Sequence, residues 1–299
     1  ITFGNEGFVK KRYRKFNIKN NAVKGDDYGM LREVLYRRFS KAVKEKSGAL
    51  SLPDLVMIDG GKGQYSTSRE VLNKLGFIPI IVHGGGKRIS NKLNELGIKS
   101  NFIKGLRVTE KETIEVVEQV LVEFNSEIIE ALKEQQCDSQ TINSRENNIM
   151  TVVQENTELG FVGTPSNINK SMIDKIVDEK KVPVIAPLGL DENNQTYNIN
   201  ADTAAGAIAK KIEARRLIIM SDVEGVLDSN KKLIPEINSE SINELINNEI
   251  VTGGMIPKIN NCLDVASNGV KGVVIIDGRK NHSLLFELLS DKGLSLIHI

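Results

Sequence analysis

From Ile78 onward, short apolar runs alternate regularly with longer stretches of helical spacing. Ile78–Val82 predicts a strand, Gly84-Gly85-Gly86 a loop, and Lys87–Leu96 a helix that Gly97 ends. Thr109 and Glu112 predict a capping box for a long helix reaching about Gln135. Val182–Ala186, Leu217–Met220 and Val273–Ile276 are β-branched runs without polar alternation, the pattern of parallel strands buried on both faces. Helices predicted over 202–213, 239–247, 256–268 and 281–290 lie between or after these runs. Such alternation predicts the α/β class: an open, mainly parallel sheet with helices on both faces, and ligands outside the carboxyl ends of its strands. There is no solenoid repeat and no low-complexity segment.

Residues 1–76 follow another rhythm. FVKKRYRKFNIK, residues 8–19, alternates apolar and basic residues and predicts a strand or hairpin arm. Asp26 and Asp27 predict the start of a helix to about Lys46, with Leu31, Val34, Leu35, Phe39 and Val43 as its apolar stripe. After Pro53 a buried strand, Leu55–Ile58, runs into Asp59-Gly60-Gly61-Lys62-Gly63, and a helix over 66–75 stops at Gly76.

Charge separates the same two regions. Residues 1–50 hold 13 Lys and Arg against 5 Asp and Glu, a net +8, whereas the whole chain nets +1. Residues 51–76 balance, so residues 77–299 net −7. The amino-terminal stretch suits phosphate backbones and implies weak nucleic-acid binding through residues 1–50. The composition, 40% hydrophobic and 26% charged, is that of a soluble globular protein. No apolar run is long enough to cross a bilayer, so no membrane partner is expected and the reading is cytoplasmic. Cys137 and Cys262 are too few for a disulfide framework and read as reduced, mostly buried thiols.

The candidate chemistry lies at the ends of strands. His83-Gly84-Gly85-Gly86 between strand and helix lets backbone N–H groups approach an anion at a positive helix terminus. Gly105-Leu106-Arg107-Val108-Thr109 places an arginine just before a helix, and Asn198-Ile199-Asn200-Ala201-Asp202 places two amides and an acid before another. Ser221-Asp222-Val223-Glu224-Gly225 follows a buried strand, and Gly253-Gly254-Met255-Ile256-Pro257-Lys258 opens a helix with a lysine in its first turn. Taken singly, Arg107 reads equally as a surface charge, Asp202 as a plain helix cap and Lys258 as a solvated lysine. Taken in order, they read as one site.

HGGG, GLRVTE, NINADTAAGAIA, SDVEGVLD, GGMIPK and VVIIDGR, in this order between Ile78 and Gly293, closely resemble the acetylglutamate kinases of the amino-acid kinase superfamily. The resemblance implies transfer of the ATP γ-phosphoryl group to the γ-carboxylate of N-acetyl-L-glutamate, a step of arginine biosynthesis. It implies that Gly84, Gly85 and Gly86 offer N–H groups to the phosphoryl group and the substrate carboxylate. Arg107 would hold the α-carboxylate and Asn198 the amide end, with Asn200 in the same substrate site. Lys258 would stabilise charge on the phosphoryl or leaving group, and Asp202 would orient lysine. Asp222, Gly225, Gly253 and Gly254 would line the nucleotide site, and Mg2+ would arrive with ATP on its phosphates. His83 is expected to orient the glycine loop and not to act as a base; His282 reads as a residue near a helix start. A homodimer or larger homo-oligomer is implied.

Residues 1–76 resemble a different family, the nuclease domain of the UvrC-type excinuclease subunit, with IDGGKGQ the most specific part. That fold is ribonuclease-H-like, and Asp59 would be one of its acidic metal ligands. One acid cannot build a two-metal site, so this segment is expected to lack nuclease activity. The domains read from sequence are therefore a basic fragment over 1–76 and a kinase-like domain over 77–299. In the kinase family a first strand ends in a lysine followed by two glycines; here Ile58, with Asp59 beside it, stands where that lysine belongs. Weak or absent kinase activity is the expectation. Thr141–Glu146 replaces a glycine-rich stretch of the family, and the tail LSLIHI resembles a translated transposase adapter from a sequencing library, which implies a chimeric reading frame.

Overall fold

A computed structural model describes residues 3–4, 7–8, 27–44, 78–223, 225–228, 233–234, 236–237, 245, 248, 250–251, 255–270, 272–279 and 296–297. The chain divides into two compact units, 1–78 with 284–292, and 79–283 with 293–299. In the smaller unit, β1 (Phe3–Gly4) and β2 (Gly7–Phe8) pair antiparallel. Its helix α1 (Asp27–Lys44) buries Leu35 and Phe39 from the predicted stripe and ties Glu33 to Arg37 one turn on, at 2.8 Å. The strand predicted over 55–58, the helix over 66–75, Asp59, and most of the predicted arm over 8–19 lie outside the described residues.

The larger unit is α/β. Its first sheet is parallel, with β9 (Val182–Ile185) between β3 (Ile81–Val82) and β6 (Ser139–Ile142). Every residue of β9 is buried, as a strand covered on both faces requires. A second sheet begins with β12 (Leu217–Ser221) at its edge beside β14 (Val273–Asp277), parallel and in register from Leu217↔Val273 to Ser221↔Asp277. β15 (Leu296–Ile297) pairs antiparallel with β14 and parallel with β13 (Glu236–Ile237).

A third sheet was not foreseen. β7 (Met150–Gln154) pairs antiparallel with β8 (Gly163–Ile168), and β10 (Leu188–Leu190) pairs antiparallel with β11 (Thr196–Asn198). β8 is an edge strand, the place where its Pro165 costs least. A two-stranded hairpin, β4 (Phe102–Ile103) with β5 (Leu106–Arg107), projects before the long helix.

Helices cover the sheets. α2 (Gly86–Glu95) and α3 (Lys111–Glu134) pack through Ile89, Leu93, Ile114, Val117 and Leu121. α4 (Lys170–Asp178) contributes Ile173 and Ile176 to a cluster with Ile142, Met150 and Ile185. α5 (Ala201–Lys211) and α6 (Met255–Ser267) meet at Gly206, where a Cβ would stand 2.7 Å from Asn261 and 2.8 Å from Val265. Each fully buried aliphatic side chain contributes about 1.5–3 kcal/mol. The helices predicted over 239–247 and 281–290 fall mostly outside the described residues. Among the described residues, no helix is long and apolar enough to cross a membrane.

The predicted capping box does not form. α3 starts at Lys111, Glu110 takes the N-cap position, and no side chain caps it. Thr109 is instead drawn into the interior. Its N–H donates to Leu159 O at 2.9 Å, its carbonyl accepts from Phe161 N at 2.7 Å, and its hydroxyl donates to Arg107 O at 3.0 Å. A tertiary backbone bridge outcompetes the local cap.

Candidate active site

The glycine loop hangs between β3 and α2. Gly85 has no room for a side chain, because a Cβ there would meet Leu121 Cδ2 at 2.6 Å. α2 has no acidic residue in its first turn and no side chain capping it, so its amino-terminal N–H groups keep their partial positive charge for a ligand. His83 anchors the loop from behind. Its backbone N–H donates to Ile185 O at 3.2 Å, and its ring Nδ1 lies 3.0 Å from Gly84 O. Burial pushes the His83 pKa down, and the contact with Gly84 offsets part of that shift. Burial thus favours the neutral ring at this position.

Arg107 comes from the hairpin, yet it is only 7% exposed. Its guanidinium donates to Ser100 Oγ, to Gly86 O at 2.9 Å and to Ser90 Oγ at 2.8 Å, and it lies 4.7 Å from the centre of the Phe102 ring. All of these partners are neutral. Burial alone pushes its pKa down, and no carboxylate pairs with it among the described residues. A desolvated cation without an anion is costly, so this corner of the site favours an incoming carboxylate.

Asn198 and Asn200 approach the same space from β11 and the start of α5. Asn198 Nδ2 donates to Thr109 Oγ1 at 3.3 Å. Asn200 Oδ1 accepts from the N–H groups of Asp202 (3.0 Å) and Thr203 (3.1 Å). Asn200 is therefore the helix cap, and Asp202 is free of that role. Gly84, Gly85, Gly86, Arg107, Asn198 and Asn200 together line one cleft of about 190 Å3, closed by Ile89, Phe102, Leu121 and Pro187.

Lys258 and Asp202 form the next part of the arrangement. Lys258 Nζ donates to Asp202 Oδ2 at 2.5 Å, and both side chains are mostly shielded. Asn261 Nδ2 donates to Asp202 O at 2.8 Å and ties α6 to the first turn of α5. Asp202 follows directly on Ala201, which lines the cleft. Cys262 is fully buried below; burial first, then the Asp202 charge, push its thiol up to about 12, with Lys258 opposing. It is an inert thiol. Cys137 is only partly buried.

Asp222 and Gly225 sit beyond the carboxyl end of β12. Asp222 is exposed and accepts from Ser221 Oγ at 3.4 Å. Gly225 is buried with φ 134, a conformation side chains rarely adopt. Neither lines the cleft of the glycine loop. Gly253 and Gly254 lie outside the described residues. Among the described residues, no three His, Cys, Asp or Glu gather where they could hold a metal ion.

Several residues of the site went unread in the sequence. Ser90 and Ser100 hold Arg107, Phe102 covers it, and Asn261 braces Asp202; their serine, aromatic and amide identities carry no spacing signal of their own. Hydrogen bonds and an ion pair hold the stretch 141–146 in place. Asn143 Oδ1 accepts from the N–H groups of Arg145 and Glu146, both at 3.0 Å, and Arg145 pairs with Glu118 at 2.8 Å.

Residues 57–277 match the model of the amino acid kinase family, so the match begins before Ile78, where the sequence reading started the kinase-like domain. The acetylglutamate kinase of Pelagibacter ubique is 72% identical over 223 residues, 75% of this chain and 77% of that protein. The acetylglutamate kinase of Rhodospirillum centenum is 40% identical over 244 residues, 77% of this chain and 80% of that protein. Among solved structures, smu.665 from Streptococcus mutans superposes with a TM-score of 0.68 at 31% identity, covering 78% of this chain and 90% of that one.

Proposed function

The chain belongs to the amino acid kinase family, and from that premise we propose that it phosphorylates the γ-carboxylate of N-acetyl-L-glutamate with the γ-phosphoryl group of ATP. Its relatives named acetylglutamate kinase make it an enzyme, a phosphotransferase with a carboxyl acceptor. The observation that carries the substrate is Arg107, a buried guanidinium held by neutral oxygens on the wall of a glycine-lined cleft. A substrate with two carboxylates suits it. One carboxylate pairs with Arg107; the other lies against the N–H groups of Gly84–Gly86, where the phosphoryl group arrives.

In this reading the chain's own residues position and neutralise charge. Asn198 binds the acetamido end, and Asn200 holds the helix start in place. Lys258, held by Asp202, stabilises the charge that develops on the transferred group. Asp222, Gly225, Gly253 and Gly254 line the nucleotide site, and ATP carries its own Mg2+ on its phosphates. The enzyme acts in the cytoplasm as a homodimer or larger homo-oligomer. Ile58 stands where the family's first lysine belongs, so turnover is slow while ligand binding persists.

The test is calorimetry and a coupled ADP-release assay. N-acetyl-L-glutamate is expected to bind and to stimulate ADP release, and Ile58→Lys is expected to raise turnover. No heat of binding and no thermal stabilisation by N-acetyl-L-glutamate would end the substrate reading. A second, separate activity is proposed for residues 1–50, whose +8 charge favours salt-sensitive DNA binding. It fails if no DNA shift occurs at low salt.

A further inference from the structure

We propose that Asn125 is a positioning residue for the glycine loop: it sets the tautomer of His83, and His83 turns the Gly84–Gly85 peptide so that its N–H faces the cleft. This rests on the kinase reading only in what the loop binds; the arrangement itself stands on geometry.

Asn125 lies in the middle of α3, 0% exposed, on the same face as Val117 and Leu121. Its amide touches all three strands of the parallel sheet or their ends. Nδ2 donates to Val184 O of β9 at 3.0 Å. Nδ2 also lies 3.2 Å from His83 Nε2, just past β3. Oδ1 accepts from the Thr141 hydroxyl of β6.

These contacts have only one consistent assignment of protons. A backbone carbonyl only accepts, so the atom facing Val184 O is the amide nitrogen. That nitrogen has no lone pair to offer, so His83 Nε2 is the acceptor of its second hydrogen. A neutral imidazole carries one proton, which is then on Nδ1 and donates to Gly84 O at 3.0 Å. The edge of Phe124 confines the ring, with centroids 5.2 Å apart and planes at 80°.

The consequence reaches the cleft through a single peptide plane. No peptide bond among the described residues is cis. In a trans peptide the carbonyl and the N–H point in opposite directions. Because the Gly84 carbonyl is turned to the His83 ring, the Gly85 N–H is turned away from it. Gly85 lines the cleft, and its N–H has no backbone acceptor among the described residues. Thr141, Asn125 and His83 thus form a chain of directed hydrogen bonds that ends in a donor aimed at an anion.

The experiment reads the tautomer directly. The chain has three histidines, so nitrogen NMR of the 15N-histidine-labelled full chain, with His83→Gln for assignment, isolates the one signal needed. The wild-type spectrum is expected to show the proton on Nδ1 and a bare Nε2. Asn125→Asp offers an acceptor in place of the donor and is expected to move the proton to Nε2. It should weaken N-acetyl-L-glutamate binding by about tenfold, the loss of one hydrogen bond to a charged group. Thr141→Val is expected to loosen the amide and populate both tautomers, and Thr141→Ser to restore one. A wild-type proton on Nε2 overturns the inference even if no variant folds. So does a folded Asn125→Asp variant that keeps both the Nδ1 proton and the wild-type affinity. If the wild-type chain binds no N-acetyl-L-glutamate, the substrate reading falls, and the spectrum still decides this one.

Discussion

Among the described residues, the protein between 79 and 211 buries several polar side chains within its aliphatic core, whereas between 217 and 277 the buried side chains are almost all aliphatic. The first region encloses His83, Arg107, Thr109, Thr113, Glu118, Asn125, Asn143 and Ser144. In the second, Val273–Ile276 are all at 0% exposure, and among the described residues Asp277 is the buried polar exception. The difference teaches where geometry is stored. In the first region the interior itself aims groups at the cleft, through Arg107 and the chain behind the glycine loop. In the second the interior is inert filler, and the candidate residue Asp222 rides on an exposed turn beyond a strand. Changes inside the first region should therefore alter binding, and changes inside the second should alter stability.

The largest effect should come from Arg107→Met. Removing a buried charge that faces a carboxylate costs about 2–5 kcal/mol of binding, roughly a thirtyfold loss or more by calorimetry. Its melting temperature should hold, since the buried cation had no anion in the free protein. A loss under threefold would break the comparison. Ile275→Ala should do the reverse, destabilising the fold by about 2–5 kcal/mol in urea while leaving the affinity of the folded fraction for N-acetyl-L-glutamate unchanged.

A smaller effect is set by pH. The His83 pKa is lowered in the fold, against about 6.5 unfolded. The unfolded chain therefore binds the extra proton first as pH falls. The stability from neutral His83 is complete above about 6.5 and drains away below it, by at most about 1.4 kcal/mol per pH unit. His83→Gln should flatten that decline in urea titrations between neutral and mildly acid pH; an unchanged slope would mean that His83 does not titrate with folding. The smallest effect belongs to Asp222→Asn. Stability should stay within about 0.5 kcal/mol, as for an exposed position, and only the Michaelis constant for ATP should rise.

Much of the first-order plan was legible because it depends on one residue type repeated. Val273–Ile276 and Val182–Ile185 have no polar residue to place at a surface, so they read as covered strands. Gly84–Gly86 and Arg107 were legible as candidates for one cleft because they stand at strand and helix ends. The sheet of β7, β8, β10 and β11 was not, since its strands are short and mix Gln154, Ser166 and Asn167 with Pro165. Thr109 obeyed a tertiary bridge instead of its local capping rule. Asn125 carried a usable signal: it falls four residues after Leu121 and eight after Val117, so a polar residue occupies the apolar face of α3. What spacing cannot supply is the partner. That Ser90 and Ser100 meet Arg107 depends on how the hairpin folds back onto α2.

The pairing of β3 with β9 also sets a timetable. Ile81 finds its only described strand partner in Val184, so on the ribosome the glycine loop is made on the order of 100 residues before the strand that fixes it. At ~5–20 residues per second the wait is on the order of ten seconds. Through that interval the amino-terminal portion of the nascent chain must be kept from pairing elsewhere, and the anion cradle is assembled only after β9 has emerged.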